Sequence, residues 1–152
     1  MITIGIRAAP KAVTFAVYDS CSSAVINVEK ISIPAAFHTP DALKYLRSNL
    51  LDVLHEYKVE WAGIRATEPN SQTINIDRVQ IEGVIQEAFA SSALTGYYIG
   101  HISSISARLG VPRTDFKRLI SGELDSGIEN WASMSTEARE ATLCAKGAAK
   151  DV

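Results

Sequence analysis

Isoleucines at positions 2, 4 and 6 alternate with Thr3, Gly5 and Arg7, and Val13, Phe15 and Val17 alternate with Thr14, Ala16 and Tyr18. This period-two pattern on either side of a Pro10-Lys11 turn predicts two strands joined as a hairpin. Small polar residues at 19–23 lead to a third strand over 24–33, carrying Ile26, Val28, Ile31 and Ile33. Beyond it the period changes. Leu43, Leu46, Leu50, Val53, Leu54 and Tyr57 recur at spacings of three and four, which predicts an amphipathic helix over 40–57, with Thr39 as its cap and Pro40 in the first helical position.

The short apolar run at 61–66 suits a buried fourth strand, and the polar stretch 67–73, with Pro69 and Asn70, a loop. A second helix is predicted over 74–91, with Ile74, Ile81, Val84, Ile85, Ala88 and Phe89 on one face. Gly83 inside it costs about 1 kcal/mol relative to Ala, which points to close packing on the sheet. Tyr97, Tyr98 and Ile99 form a fifth strand, and 102–109 and 113–121 read as short helical pieces broken at Gly110 and Pro112. An acidic loop at 123–130 precedes a last helix, capped by Ser135 or Thr136 and running to about 146, with Ala138, Ala141, Leu143, Cys144 and Ala145 inward. A meander followed by right-handed crossovers gives an α/β architecture: a mixed five-stranded sheet with helices on both faces. Its expected core is Ile4, Ile6, Phe15, Val17, Leu46, Leu50, Ile64, Ile81, Ile85 and Leu143.

Composition narrows the class without choosing a function. The 152 residues are 47% hydrophobic and 21% charged, so one globular domain over 1–152 with its own core is expected. Cys21 and Cys144 are too few for a disulfide framework or a zinc cluster. A net charge of -2 argues against a polyanion-binding protein in bulk but leaves a local basic patch open. The apolar runs are too short to span a membrane and the Met-Ile-Thr-Ile start has no basic leader region, so a cytoplasmic location is expected.

The element order, with Gly5-Ile6-Arg7 in strand one and Gly63-Ile64-Arg65 ending strand four, resembles the ribonuclease H-like fold and in particular the RuvC-type Holliday junction resolvases. The resemblance extends over nearly the whole chain and implies strand order 3-2-1-4-5. In that family strand one reads Gly-Ile-Asp, strand four ends in Ile-Glu, and the last helix carries two acids three residues apart. Here the first two positions are Arg7 and Arg65, while Glu137 and Glu140 supply the spaced acids. Two-metal nucleases hold their cations with clustered carboxylates. An arginine about 4 Å from a divalent cation would cost roughly 8 kcal/mol even at an effective dielectric of 20. The expectation is therefore a catalytically degenerate resolvase-like domain, with no metal, that binds nucleic acid or a protein partner and forms a homodimer. The alternative is a nuclease using Mg²⁺ or Mn²⁺ on the displaced carboxylates Glu68, Glu137 and Glu140; Asp19 and Asp77 are further acids near the strand ends.

Alternation places Arg7 and Arg65 on the face opposite Ile6 and Ile64, where they converge. Two readings stay open: an ion cluster of Arg7, Arg65, Glu137 and Glu140, or an anion pocket, since guanidinium forks suit phosphate and carboxylate. Arg108, Arg113, Lys117 and Arg118 form a basic segment with only Asp115 against it, either a phosphate-contacting patch or a solvated helix face. His38, His55 and His101 lack metal-ligand spacing and read as structural. Cys144 reads as a packing residue, Cys21 as a loop thiol without a visible partner, and the serines at 20, 22 and 23 lack the glycine-flanked setting of a nucleophile. No phosphate-binding or dinucleotide-binding glycine motif is present.

Overall fold

In the computed structural model, which describes residues 1–150, β1 (Ile2–Ala9) pairs antiparallel with β2 (Ala12–Asp19), and β2 pairs antiparallel with β3 (Ala24–Ser32). β4 (Trp61–Arg65) lies parallel to β1 and β5 (Gly96–Gly100) parallel to β4, giving the order β3-β2-β1-β4-β5. This is the expected mixed sheet. α1 (Thr39–Glu56) and α2 (Ile76–Ser91) cover one face of it. On the other face lie α3 (Ile102–Leu109), α4 (Arg113–Ser121), a 3-10 turn at Trp131–Ser133 and α5 (Thr136–Ala148).

Two apolar clusters hold the layers together. The first joins Ile4, Ile6, Phe15, Val17 and Ile64 to Leu46, Leu50, Ile81 and Ile85, and the second packs Tyr98, Ile105, Phe116, Leu119, Trp131, Leu143 and Cys144 around α5. All ten expected core residues are buried. The element ends shift slightly for local reasons. α1 begins at Thr39 with His38 at the N-cap, so Thr39 is helical rather than the cap. α2 begins at Ile76 because the Asn75 side chain accepts a hydrogen bond from Arg78 N, which leaves Ile74 outside the helix and exposed. Ser135 caps α5 through Ala138 N, as expected.

Gly83 departs from its expectation. It faces solvent, and a Cβ there would meet no atom within 4 Å, so close packing on the sheet does not explain it. The close approach occurs at Gly5 and Gly63 instead. These are paired in register on β1 and β4, and α5 lies directly over them. A Cβ on Gly5 would fall 1.9 Å from the Ala141 carbonyl oxygen and 2.3 Å from Ala145 N; one on Gly63 would meet the Tyr98 ring and Cys144 Sγ. The helix is fixed there by Thr3 Oγ1 donating to the Ala145 carbonyl at 2.7 Å and Tyr98 Oη donating to the Cys144 carbonyl at 2.7 Å.

Replacing Gly5 should therefore be costly, because the obstruction is helix backbone and no side chain can swing aside. Gly5→Ala is expected to lower stability by about 3 kcal/mol, the upper part of the usual overpacking range, and Gly63→Ala by about 1 kcal/mol. Urea denaturation at constant m-value measures both; equal losses at the two positions would contradict this packing.

Candidate functional site at the ends of β1 and β4

Because side chains alternate along a strand, the residues two after Gly5 and Gly63 emerge on the same face, towards α5. These are Arg7 and Arg65, which stand opposite each other in the β1–β4 register. Both meet Glu140 of α5, Arg7 Nε at 3.3 Å and Arg65 Nε at 2.9 Å from the same oxygen, Oε2. The Arg65 N–H points off the hydrogen-bond line, so its contact with Glu140 is electrostatic rather than directed. Arg65 Nη1 also donates to Glu68 at 2.9 Å, and Glu68 accepts in addition from Ile102 N at the start of α3, 3.3 Å away. A carboxylate there complements the partial positive charge of a helix N-terminus.

The structure does not bring Glu137 to this cluster. It lies three residues nearer the N-terminus of α5, about 4.5 Å along the axis. That carries it past the strand ends to line a cavity of about 440 Å³ with Lys11, Thr14, Lys30 and Ser135. Glu68, Glu137 and Glu140 consequently do not converge: two of them sit on Arg65 and the third lies elsewhere.

Two further charged residues belong to the site. Arg78 Nε lies 2.9 Å from Glu82 Oε2, one turn apart on α2, and Glu82 accepts from Thr67 N and Thr67 Oγ1. Glu82 thereby ties the loop after β4 to α2. Burial, reinforced by the neighbouring Arg7, holds the Arg78 guanidinium below its ordinary range, with Glu82 acting the other way. It stays charged at neutral pH. Sequence spacing carried a signal for both new contacts, Arg65 with Glu68 at i,i+3 and Arg78 with Glu82 at i,i+4. Nothing in it placed Arg78 beside Arg7.

The basic segment is dispersed. Arg108 stacks over the Tyr98 ring, 3.8 Å from its centroid, and is half-buried between β5 and α5. Arg118 pairs with Asp115 and Glu123, while Arg113 and Lys117 are exposed. His38 and His101 stand at the N-caps of α1 and α3, and His55 lies in the last turn of α1. Cys144 is fully buried and its thiol is pushed up to about 12, chiefly by desolvation, which makes it inert; Cys21 is exposed.

Fold comparison supplies the relatives. The chain superposes on two structures of Thermus thermophilus RuvC, one of them in complex with a Holliday junction substrate. TM-scores are 0.75 and 0.74 at 12% and 14% identity, covering 99% of this chain and 93% and 94% of the other. The yeast mitochondrial Holliday junction resolvase matches at TM-score 0.57 and 17% identity, over 97% of this chain and 77% of that one. The chain has the ribonuclease H-like fold of the RuvC resolvases. No family model and no curated protein sequence matches it.

The family resemblance implies divalent metal ions, and the donors at these strand ends do not fit them. Arginines offer N–H groups where a cation requires oxygen. The carboxylates present, Glu68, Glu82 and Glu140, each face an arginine, and no group of three or more His, Cys, Asp or Glu among the described residues is placed to hold a metal. The arrangement neutralises charge internally. Removing Glu140 would leave the largely buried Arg7 without its carboxylate and Arg65 with Glu68 alone, so Glu140→Ala is expected to cost about 3 kcal/mol. Glu137→Ala, outside the cluster, should stay within about 0.5 kcal/mol. Chemical denaturation separates the two, and a loss below about 1 kcal/mol for Glu140→Ala would show that the cluster contributes little.

Proposed function

We propose that this chain is a catalytically degenerate resolvase-like domain that binds nucleic acid without cutting it. The observation carrying the proposal is the shared contact of Arg7 and Arg65 with Glu140 at the ends of two adjacent parallel strands. In a two-metal nuclease carboxylates at such a place bind the cations that activate water and stabilise the leaving oxygen. Here the guanidinium groups occupy the carboxylate themselves. They preserve the electrostatic tie between β1, β4 and α5 that a metal would otherwise supply, and so keep the fold while giving up the chemistry. The likeness to the RuvC structures supports nucleic acid as the partner class, since one of them is in complex with a Holliday junction substrate.

Incubation of the full chain with four-way junction, duplex and single-stranded DNA, in Mg²⁺ and in Mn²⁺, tests the proposal. Binding at low salt without strand cleavage is the expected result. Cleavage that disappears in Glu140→Gln would overturn it and favour a nuclease with displaced carboxylates.

A further inference from the structure

The segment after β5 has a construction that the site at the strand ends does not use. α3 has eight residues, α4 has nine, and only Gly110, Val111 and Pro112 connect them. Gly110 adopts φ +72°, the left-handed conformation that ends a helix abruptly, and Val111 N donates to the Ser106 carbonyl at 3.0 Å across the turn. Pro112 then sits at the N-cap of α4, its carbonyl accepting from Asp115 N and Phe116 N. Inside the corner Ile105 and Phe116 are wholly buried, with Leu119 beside them. Ser106, also buried, presents only a hydroxymethyl where α3 carries its inward face, and its hydroxyl turns back to the Ile102 carbonyl. Two short helices, a three-residue turn opening on a left-handed glycine, and an interdigitated apolar corner are the parts of a helix-turn-helix.

The outer face of α4 is equally distinctive. Arg113, Thr114, Lys117, Arg118 and Ser121 are all exposed, at positions i, i+1, i+4, i+5 and i+8, and every one ends in a hydrogen-bonding group. Exposed aliphatic side chains are absent from that stripe. The helix is held firmly from behind. Buried Arg139 of α5 donates to the Ile120 carbonyl at the end of α4, and to the Trp131 and Ala132 carbonyls beyond it. Asp115 and Glu123 engage Arg118 from either side. A rigid polar helix of this length fits the major groove of B-form DNA, where arginine and lysine read guanine and hydroxyl side chains read either base type.

We infer that α3 and α4 form a helix-turn-helix that reads duplex DNA sequence through Arg113, Thr114, Lys117, Arg118 and Ser121. The inference rests on the reading that the chain binds nucleic acid, and it adds which surface does so and that the preferred form is an undistorted duplex of defined sequence. The strand-end cluster takes no part in this contact. Each base-reading side chain discriminates by roughly 5- to 150-fold.

Selection of the full-length protein against a randomised duplex library, followed by titration of labelled duplexes, tests the inference. The expected result is enrichment of a short sequence bound at least tenfold more tightly than its scrambled form. Arg113→Ala combined with Lys117→Ala should abolish that preference with an unchanged melting temperature, and Lys44→Ala on α1 should leave it intact. Singly, Lys117→Ala should relax the preference at one position, which keeps the test decisive if the double variant folds poorly. Enrichment of no sequence, with junction DNA still bound by wild type and double variant alike, would overturn the helix-turn-helix and leave the broader reading standing. Absence of binding to every oligonucleotide would overturn both.

Discussion

Backbone contact between α5 and β1 at Gly5 is the constraint from which the rest of the molecule follows. With no side chain separating them, the helix settles into a trough whose floor is two glycines in register, and whose walls are formed by Thr3 and by the Tyr98 ring. That depth determines what the next inward-facing residues on β1 and β4 can reach. Arg7 and Arg65 emerge one pleat beyond the glycines, and Glu140 on α5 is within reach of both. The repeated tetrapeptide Gly-Ile-Arg-Ala thus has a physical division of labour. Glycine admits the helix, isoleucine faces the opposite core, and arginine engages the helix's carboxylate.

Charge is balanced locally around that contact. Arg65 joins Glu140 to Glu68, Glu68 caps the start of α3, and Arg78 with Glu82 binds the loop after β4 to α2. The cluster therefore connects the layers on both sides of the sheet through its C-terminal edge. Burial makes such an arrangement costly to assemble and more costly to leave incomplete. A strand-end site built this way ties β1, β4 and α5 together through ion pairs.

Most of the architecture was legible in the sequence because hydrophobic period reports burial directly. Alternation identified β1 and β2, three-four spacing identified α1, and the ten named core residues all lie inside. Legibility ended where position depends on tertiary approach. Gly83 looked like a packing glycine and is exposed, whereas Gly5 and Gly63, unremarked for packing, leave no room for a Cβ beneath α5. Strand alternation and the family resemblance grouped Arg7 and Arg65 with Glu140, whose carboxylate both guanidinium groups meet. Glu137 was misplaced because shared helical face says nothing of distance along the axis, and Arg78 was missed because no local rule relates α2 to β1. Arg108 looked like part of a surface patch, yet its guanidinium lies over the Tyr98 ring.

The proposed function turns on whether the arginine-lined strand ends exclude a cation. Titration of Mn²⁺ into the isotope-labelled protein, followed by two-dimensional amide NMR spectra, tests it most directly, because a bound paramagnetic ion broadens signals only around its own site. The expected result is no selective broadening at residues 5–8, 63–66 or 138–142. Site-specific loss of those signals at low Mn²⁺ would contradict the claim and place a metal among the arginines.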